Sequence, residues 1–126
     1  MKKLTPILIV EEIEPVLPFW VERLGFEKTV EVPEGDKLGF VILNKGPVEV
    51  MYQTHASIRN DAPALLDMMA KGGSVLFFEV ESIDEIENAL AGIEPLVPRR
   101  QTFYGATEIF VQDPAGNIIG FAEMKE

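Results

Sequence analysis

The chain has 126 residues, 47% of them hydrophobic and 25% charged, which suits one compact domain with a substantial core and is too short for two ordinary ones. A net charge of −10 argues against nucleic acid, because phosphate binding needs a basic face; it fits a neutral or cationic small ligand, or simply solubility. There is no cysteine, hence no disulfide or thiolate chemistry, and no apolar run approaches the roughly 18 residues that span a membrane, so a cytoplasmic protein with no membrane partner is expected.

The first ten residues mimic a signal peptide, but Glu11, Glu12 and Glu14 interrupt the apolar run. Pro6-Ile7-Leu8-Ile9-Val10 reads as a strand. Ile13, Val16, Leu17, Trp20, Val21 and Leu24 then recur at helical spacing, which places Trp20 in the core, and Gly25 supplies a stop. Pro15 suits a first turn. Pro18 lies about one turn further in, so the helix either starts near Val16 or is loosened there. Three strands are expected at residues 28–32, 38–43 and 48–53, with turns at Pro33-Glu34-Gly35 and Asn44-Lys45-Gly46-Pro47. Residues 54–74 form a connector, in which 62–70 reads as a short helix ended by Lys71-Gly72-Gly73.

The pattern then repeats. Val10-Glu11-Glu12-Ile13-Glu14 is echoed by Val80-Glu81-Ser82-Ile83-Asp84, again after an apolar run, Val75-Leu76-Phe77-Phe78. Ser82 and Glu85 form a capping box; Ile86, Ala89 and Leu90 make the apolar stripe, and Gly92 ends it. Strands follow near 94–97, at 107–112 and at 118–123, with Asp113-Pro114-Ala115-Gly116-Asn117 as a turn. Each half reads βαβββ. The expected fold is therefore α+β: two tandem modules (about 1–56 and 73–126, joined by about 57–72) forming one domain with a curved mixed sheet and outer helices.

Several stretches resemble the vicinal-oxygen-chelate superfamily, which contains glyoxalases, bleomycin-resistance proteins and extradiol dioxygenases. Pro18-Phe19-Trp20-Val21-Glu22-Arg23-Leu24-Gly25-Phe26 is similar to its first helix and Leu-Gly-Phe ending. Phe103-Tyr104-Gly105 and the run from Ile109 to Asn117 resemble its penultimate hairpin, and Ile119-Gly120-Phe121-Ala122-Glu123 the last strand of its bleomycin-resistance branch. In the family's enzymes a divalent metal is held by the first and last strands of each module. The resemblance puts those positions at Thr5, Glu49, Val75 and Gly120, with Thr5 equivalent to Val75 and Glu49 to Gly120. Only Glu49 is a good ligand, since valine and glycine side chains cannot coordinate. No metal and no cofactor are therefore expected. His55, the single histidine, reads as a solvated or hydrogen-bonded loop residue; a non-family metal site would draw on His55, Glu79 or Glu108.

A cup without its metal implies, by resemblance to the drug-binding branch, a homodimer that binds a small, cationic or aromatic molecule between subunits. The expected lining is Thr5, Ile7, Glu49, Met51, Val75, Phe77, Tyr104, Phe110 and Gly120, several of which share a strand face by even spacing. Phe77 and Phe110 read equally as plain core. Phe77-Phe78 must send one ring to each face of its strand. The rival reading is an enzyme of the same superfamily, a lyase, isomerase or dioxygenase with a rearranged metal site or Glu49 as acid or base; a third is a protein-binding module with a filled cup. A Glu49 isolated among apolar groups implies that Glu49→Gln leaves folding intact or slightly improved. Arg99-Arg100 reads either as an anion site or as a flexible surface pair.

Overall fold

The computed structural model describes residues 3–63, 66, 75–102 and 105–125. Its strands pair in two four-stranded mixed sheets, one in each of two units that divide the chain into residues 1–73 and 74–126.

The first unit runs β1 (Ile7–Val10), a helical segment, β2 (Glu27–Glu34), β3 (Lys37–Lys45), β4 (Val48–Thr54) and α1 (His55–Asp61), with sheet order β1-β4-β3-β2. The β1·β4 pair is parallel and the others antiparallel. The two prolines decide how the helical segment winds. Pro18 has no N–H to return to the fourth carbonyl back, so the ordinary α-turn bond is lost there. The chain first tightens into a 3-10 turn over Glu14–Val16, with Val16 N–H donating to Ile13 O at 2.9 Å. It then widens to π-helical winding over Pro18–Arg23, with Leu24 N–H donating to Phe19 O at 3.2 Å. This winding buries the neighbouring rings Phe19 and Trp20 together. The Trp20 indole N–H donates to the Tyr52 hydroxyl at 2.8 Å, and Phe26 meets the Trp20 ring edge-on at 4.9 Å. Burial of these four aromatics contributes on the order of 2–3 kcal/mol each.

Tyr52 also fixes the sidedness of the sheet. Val50, Tyr52 and Thr54 alternate as buried residues under the helix, so Glu49, Met51 and Gln53 lie on the opposite face. Thr54 ends the strand and caps α1, its hydroxyl accepting from Ser57 N–H at 3.1 Å.

The second unit repeats this topology as β5 (Val75–Glu79), α2 (Ile83–Ala89), β6 (Val97–Gln101), β7 (Ala106–Gln112) and β8 (Ile118–Met124), with order β5-β8-β7-β6. The Ser82 hydroxyl caps α2 by accepting from Glu85 N–H, as the capping box predicts. Glu123 adds a cap from outside the helix: its carboxylate accepts from Ile83 N–H at 2.9 Å. Ile119, Phe121 and Glu123 therefore face α2, while Gly120 and Ala122 face away. The β7–β8 turn is held by Asp113, whose carboxylate accepts from the N–H groups of Ala115 and Asn117 and from the Asn117 amide. Gly116 supplies the left-handed residue, φ 90°, that this turn requires.

Three expectations are corrected. The strand placed near 94–97 lies at Val97–Gln101. Pro98 is tolerated because β6 is an edge strand, and the ladder slips between Val97 and Arg100. Residues 55–61, read as connector, form α1. The expected equivalence of Glu49 with Gly120 also fails. Ile7 faces Met51 and Phe77 faces Gly120, so with Ile7 matched to Phe77, and Thr5 to Val75, it is Met51 and not Glu49 that answers to Gly120. The pairings Thr5/Glu49 and Val75/Gly120 are thus out of step by two residues. The helix expected at 62–70 falls largely outside the described residues.

Candidate functional site

In the first unit the expected residues share one face. Ile7 lies beside Met51 on β1 and β4, and Asn44 of β3 lies directly across from Glu49. Ile7 is 46% exposed, too open for core, and Met51 is half-buried. Asn44 is oriented by Thr29, whose hydroxyl donates to its side-chain carbonyl at 2.5 Å. Glu49 is not isolated: the Lys3 ammonium pairs with its carboxylate. Sequence reasoning missed Lys3, although its parity with Thr5 and Ile7 was a usable signal.

In the second unit Phe77, Gly120 and Phe110 form a single row across β5, β8 and β7. The rings of Phe77 and Phe110 stand 6.1 Å apart at 44°. Phe77 is 48% exposed, which removes it from the core, whereas Phe78 turns the other way and stacks on Phe121 at 5.7 Å. One ring per face is the alternation that the Phe77-Phe78 pair implied. Phe110 folds over Gly120, its Cε2 2.5 Å from where a Cβ would stand. Val75 shares the exposed face with Phe77 and Glu79. Tyr104, and Phe103 with it, lie outside the described residues.

The donor set does not fit a divalent metal. Of the four positions expected from the resemblance, Val75 and Gly120 offer no donor, a ring occupies the space a longer residue at 120 would need, and Glu49 already meets a cation. The substitutes do not assemble either; among the described residues no three His, Asp or Glu side chains converge. His55 opens α1 instead of sitting in a loop, and its Nδ1 is 2.7 Å from a Glu11 carboxylate oxygen. Glu79 is exposed. Glu108 shares the face of Phe110 but is buried, 1% exposed, and accepts from Arg100 Nε and Nη2 at 2.9 and 2.8 Å.

Both arginines are therefore structural. Arg99, far from being a loose surface group, donates to Asp84 and Glu87 at 2.6 Å each, tying β6 to α2. An open cleft of about 240 Å³ at the ends of β6, β7 and β8 is lined by Gln101, Thr102, Thr107, Glu123 and Lys125, among others, and by none of the expected site residues. No helix among the described residues is long and apolar enough to cross a membrane.

None of the curated proteins matches the chain by sequence. Among solved structures, a glyoxalase/bleomycin resistance protein/dioxygenase from Nocardioides is similar at 19% identity and a TM-score of 0.74, over 100% of this chain and 85% of its own. The bleomycin-binding protein of the bleomycin producer Streptomyces verticillus, solved with copper(II)-bleomycin, is similar at 21% identity and TM-score 0.68, over 100% and 98%. A lactoylglutathione lyase from Agrobacterium tumefaciens is similar at 18% identity and TM-score 0.75, over 98% and 94%. At these identities the likeness carries the fold. The family model described as Glyoxalase/Bleomycin resistance protein/Dioxygenase superfamily matches residues 4–121, and with two βαβββ units in place the chain belongs to that superfamily.

Proposed function

We propose that this chain is a metal-independent binding protein, acting as a homodimer in the cytoplasm, that sequesters a small aromatic or cationic molecule. The observation that carries the reading is the row Phe77–Gly120–Phe110. It turns a half-exposed ring and its partner away from α2, at the position that the resemblance assigns to a metal ligand. Paired rings favour a planar ligand through stacking, and a cation through their faces. Within the first unit, Glu49 offers an acidic group, with Ile7, Met51 and Thr5 on the same face; within the second, Val75 flanks the ring pair. Copper(II)-bleomycin, the ligand in the similar Streptomyces verticillus structure, is one candidate.

The test is a melting screen with metal-free and copper-loaded bleomycin and a panel of aromatic cations, since a ligand at about 100 times its Kd stabilises by roughly 2.7 kcal/mol. The expected result is a raised midpoint that Phe77→Ala abolishes. The reading fails if no compound shifts the midpoint and nickel-, zinc- or manganese-loaded protein isomerises the methylglyoxal–glutathione adduct. That outcome establishes the lyase alternative.

A further inference from the structure

We propose that the space beside Glu49 is a primary-ammonium site, filled from within the chain by Lys3 and opened to an incoming amine when Lys3 is displaced. The inference rests on the reading of Glu49 as the acidic group for a cationic ligand. The backbone sets up the arrangement. Met51 N–H donates to Pro6 O at 3.0 Å, so the pairing with β4 continues back from β1 to Pro6. Pro6 has no N–H to donate in return, which leaves the upstream residues without that ladder bond. Lys3 and Thr5 share the parity of Ile7, and Lys3 reaches Glu49 by its side chain.

The two partners are unequal. The Glu49 side chain is 10% exposed and that of Lys3 is 59% exposed. The acid is sheltered on a central strand; the cation is a wet, flexible stem on an extended segment. An ammonium on such a stem is readily exchanged for another ammonium, because the charge and the three donors are the same. Desolvation of Glu49 makes some cation necessary there, but not this one. Ile7, nearly half exposed, and Met51 lie two residues along the same face and offer apolar surface to the carbon chain of an entering amine.

The experiment is rescue of Lys3→Ala by n-butylammonium chloride, with sodium chloride at equal concentration as the reference. Lys3→Ala is expected to melt about 1–3 °C below the parent. About 50 mM n-butylammonium should restore most of that shift by occupying the emptied site. The parent, whose site is filled, and the double variant Lys3→Ala/Glu49→Gln should respond no more than to sodium. A response in Lys3→Ala no larger than with sodium, or one that persists in the double variant, overturns the proposal. The outcome is separable from the functional reading. A blank ligand screen with intact amine rescue defeats the functional reading and leaves the ammonium site standing; bleomycin binding without amine rescue does the reverse.

Discussion

The ring of Phe110 occupies the space above Gly120 so closely that a Cβ there would stand 2.5 Å from Cε2 and 2.8 Å from Cδ2. The glycine and the ring are thus one packing unit. Gly120→Ala is expected to push the ring out of its row and cost about 1–3 kcal/mol. In a Phe110→Ala background the same substitution should cost at least about 1 kcal/mol less. Urea unfolding of the four-protein cycle measures this coupling, and strictly additive costs would show that the ring gives way freely.

Arg100 and Glu108 form a cross-strand pair in which the acid is buried and the base half open. Arg100→Met keeps the stem and removes the charge that faces Glu108. Because Arg100 is solvated, the loss should be about 1–2 kcal/mol, below the 3–5 of a fully buried pair. Thermal unfolding at pH 7 reads it. Glu108→Gln in the Arg100→Met background should recover part of the loss, because an uncharged amide is cheaper to bury.

Glu14 has its carboxyl held below its ordinary value of 4.5, chiefly by the backbone N–H of Leu38, which donates at 2.7 Å, with the nearby Lys37 charge helping. A depressed folded value means that the stabilisation is complete above the unfolded value and is lost as pH falls through the folded one. The parent should therefore lose stability below about pH 4.5 relative to Glu14→Gln, in a difference that is flat from pH 6 to 8. Melting curves across that range test it. Glu14 is exposed, so the difference at neutral pH should stay within about 0.5–1 kcal/mol.

Trp20 is the sole tryptophan, and its N–H donates to the Tyr52 hydroxyl in the buried layer under the first helix. Tyr52→Phe removes that acceptor while keeping the ring. It is expected to cost about 1–2 kcal/mol and to shift tryptophan emission, with no change in ligand response. Emission unchanged in the variant would mean that the bond is not kept in solution.

Glu49→Gln should be close to neutral for stability at physiological salt, costing at most about 1 kcal/mol, because the Lys3 partner it loses is largely solvated and a neutral amide is cheaper to shelter than a carboxylate. Without Lys3 the expectation was neutrality or a slight gain; its presence removes the gain. Calorimetric titration with an aromatic cation should show at least about tenfold weaker binding in Glu49→Gln, and unchanged affinity would remove Glu49 from the ligand site.

The repeated βαβββ pattern, the strand parities of Phe77-Phe78 and of Glu49 and Met51, the capping box at Ser82 and the core role of Trp20 were all legible from the sequence. Each depends on local rules: a period of two along strands, a period near 3.6 along helices, and the few residues that satisfy a helix end or a tight turn. Tertiary structure alone decided that Pro18 forces a wide-wound turn, that Arg100 neutralises Glu108, that Lys3 meets Glu49 and that Phe110 covers Gly120. These depend on register between strands and on which long side chain reaches across a gap. Local alternation leaves both open, because slipping a strand by two residues preserves every inward and outward position while changing every neighbour.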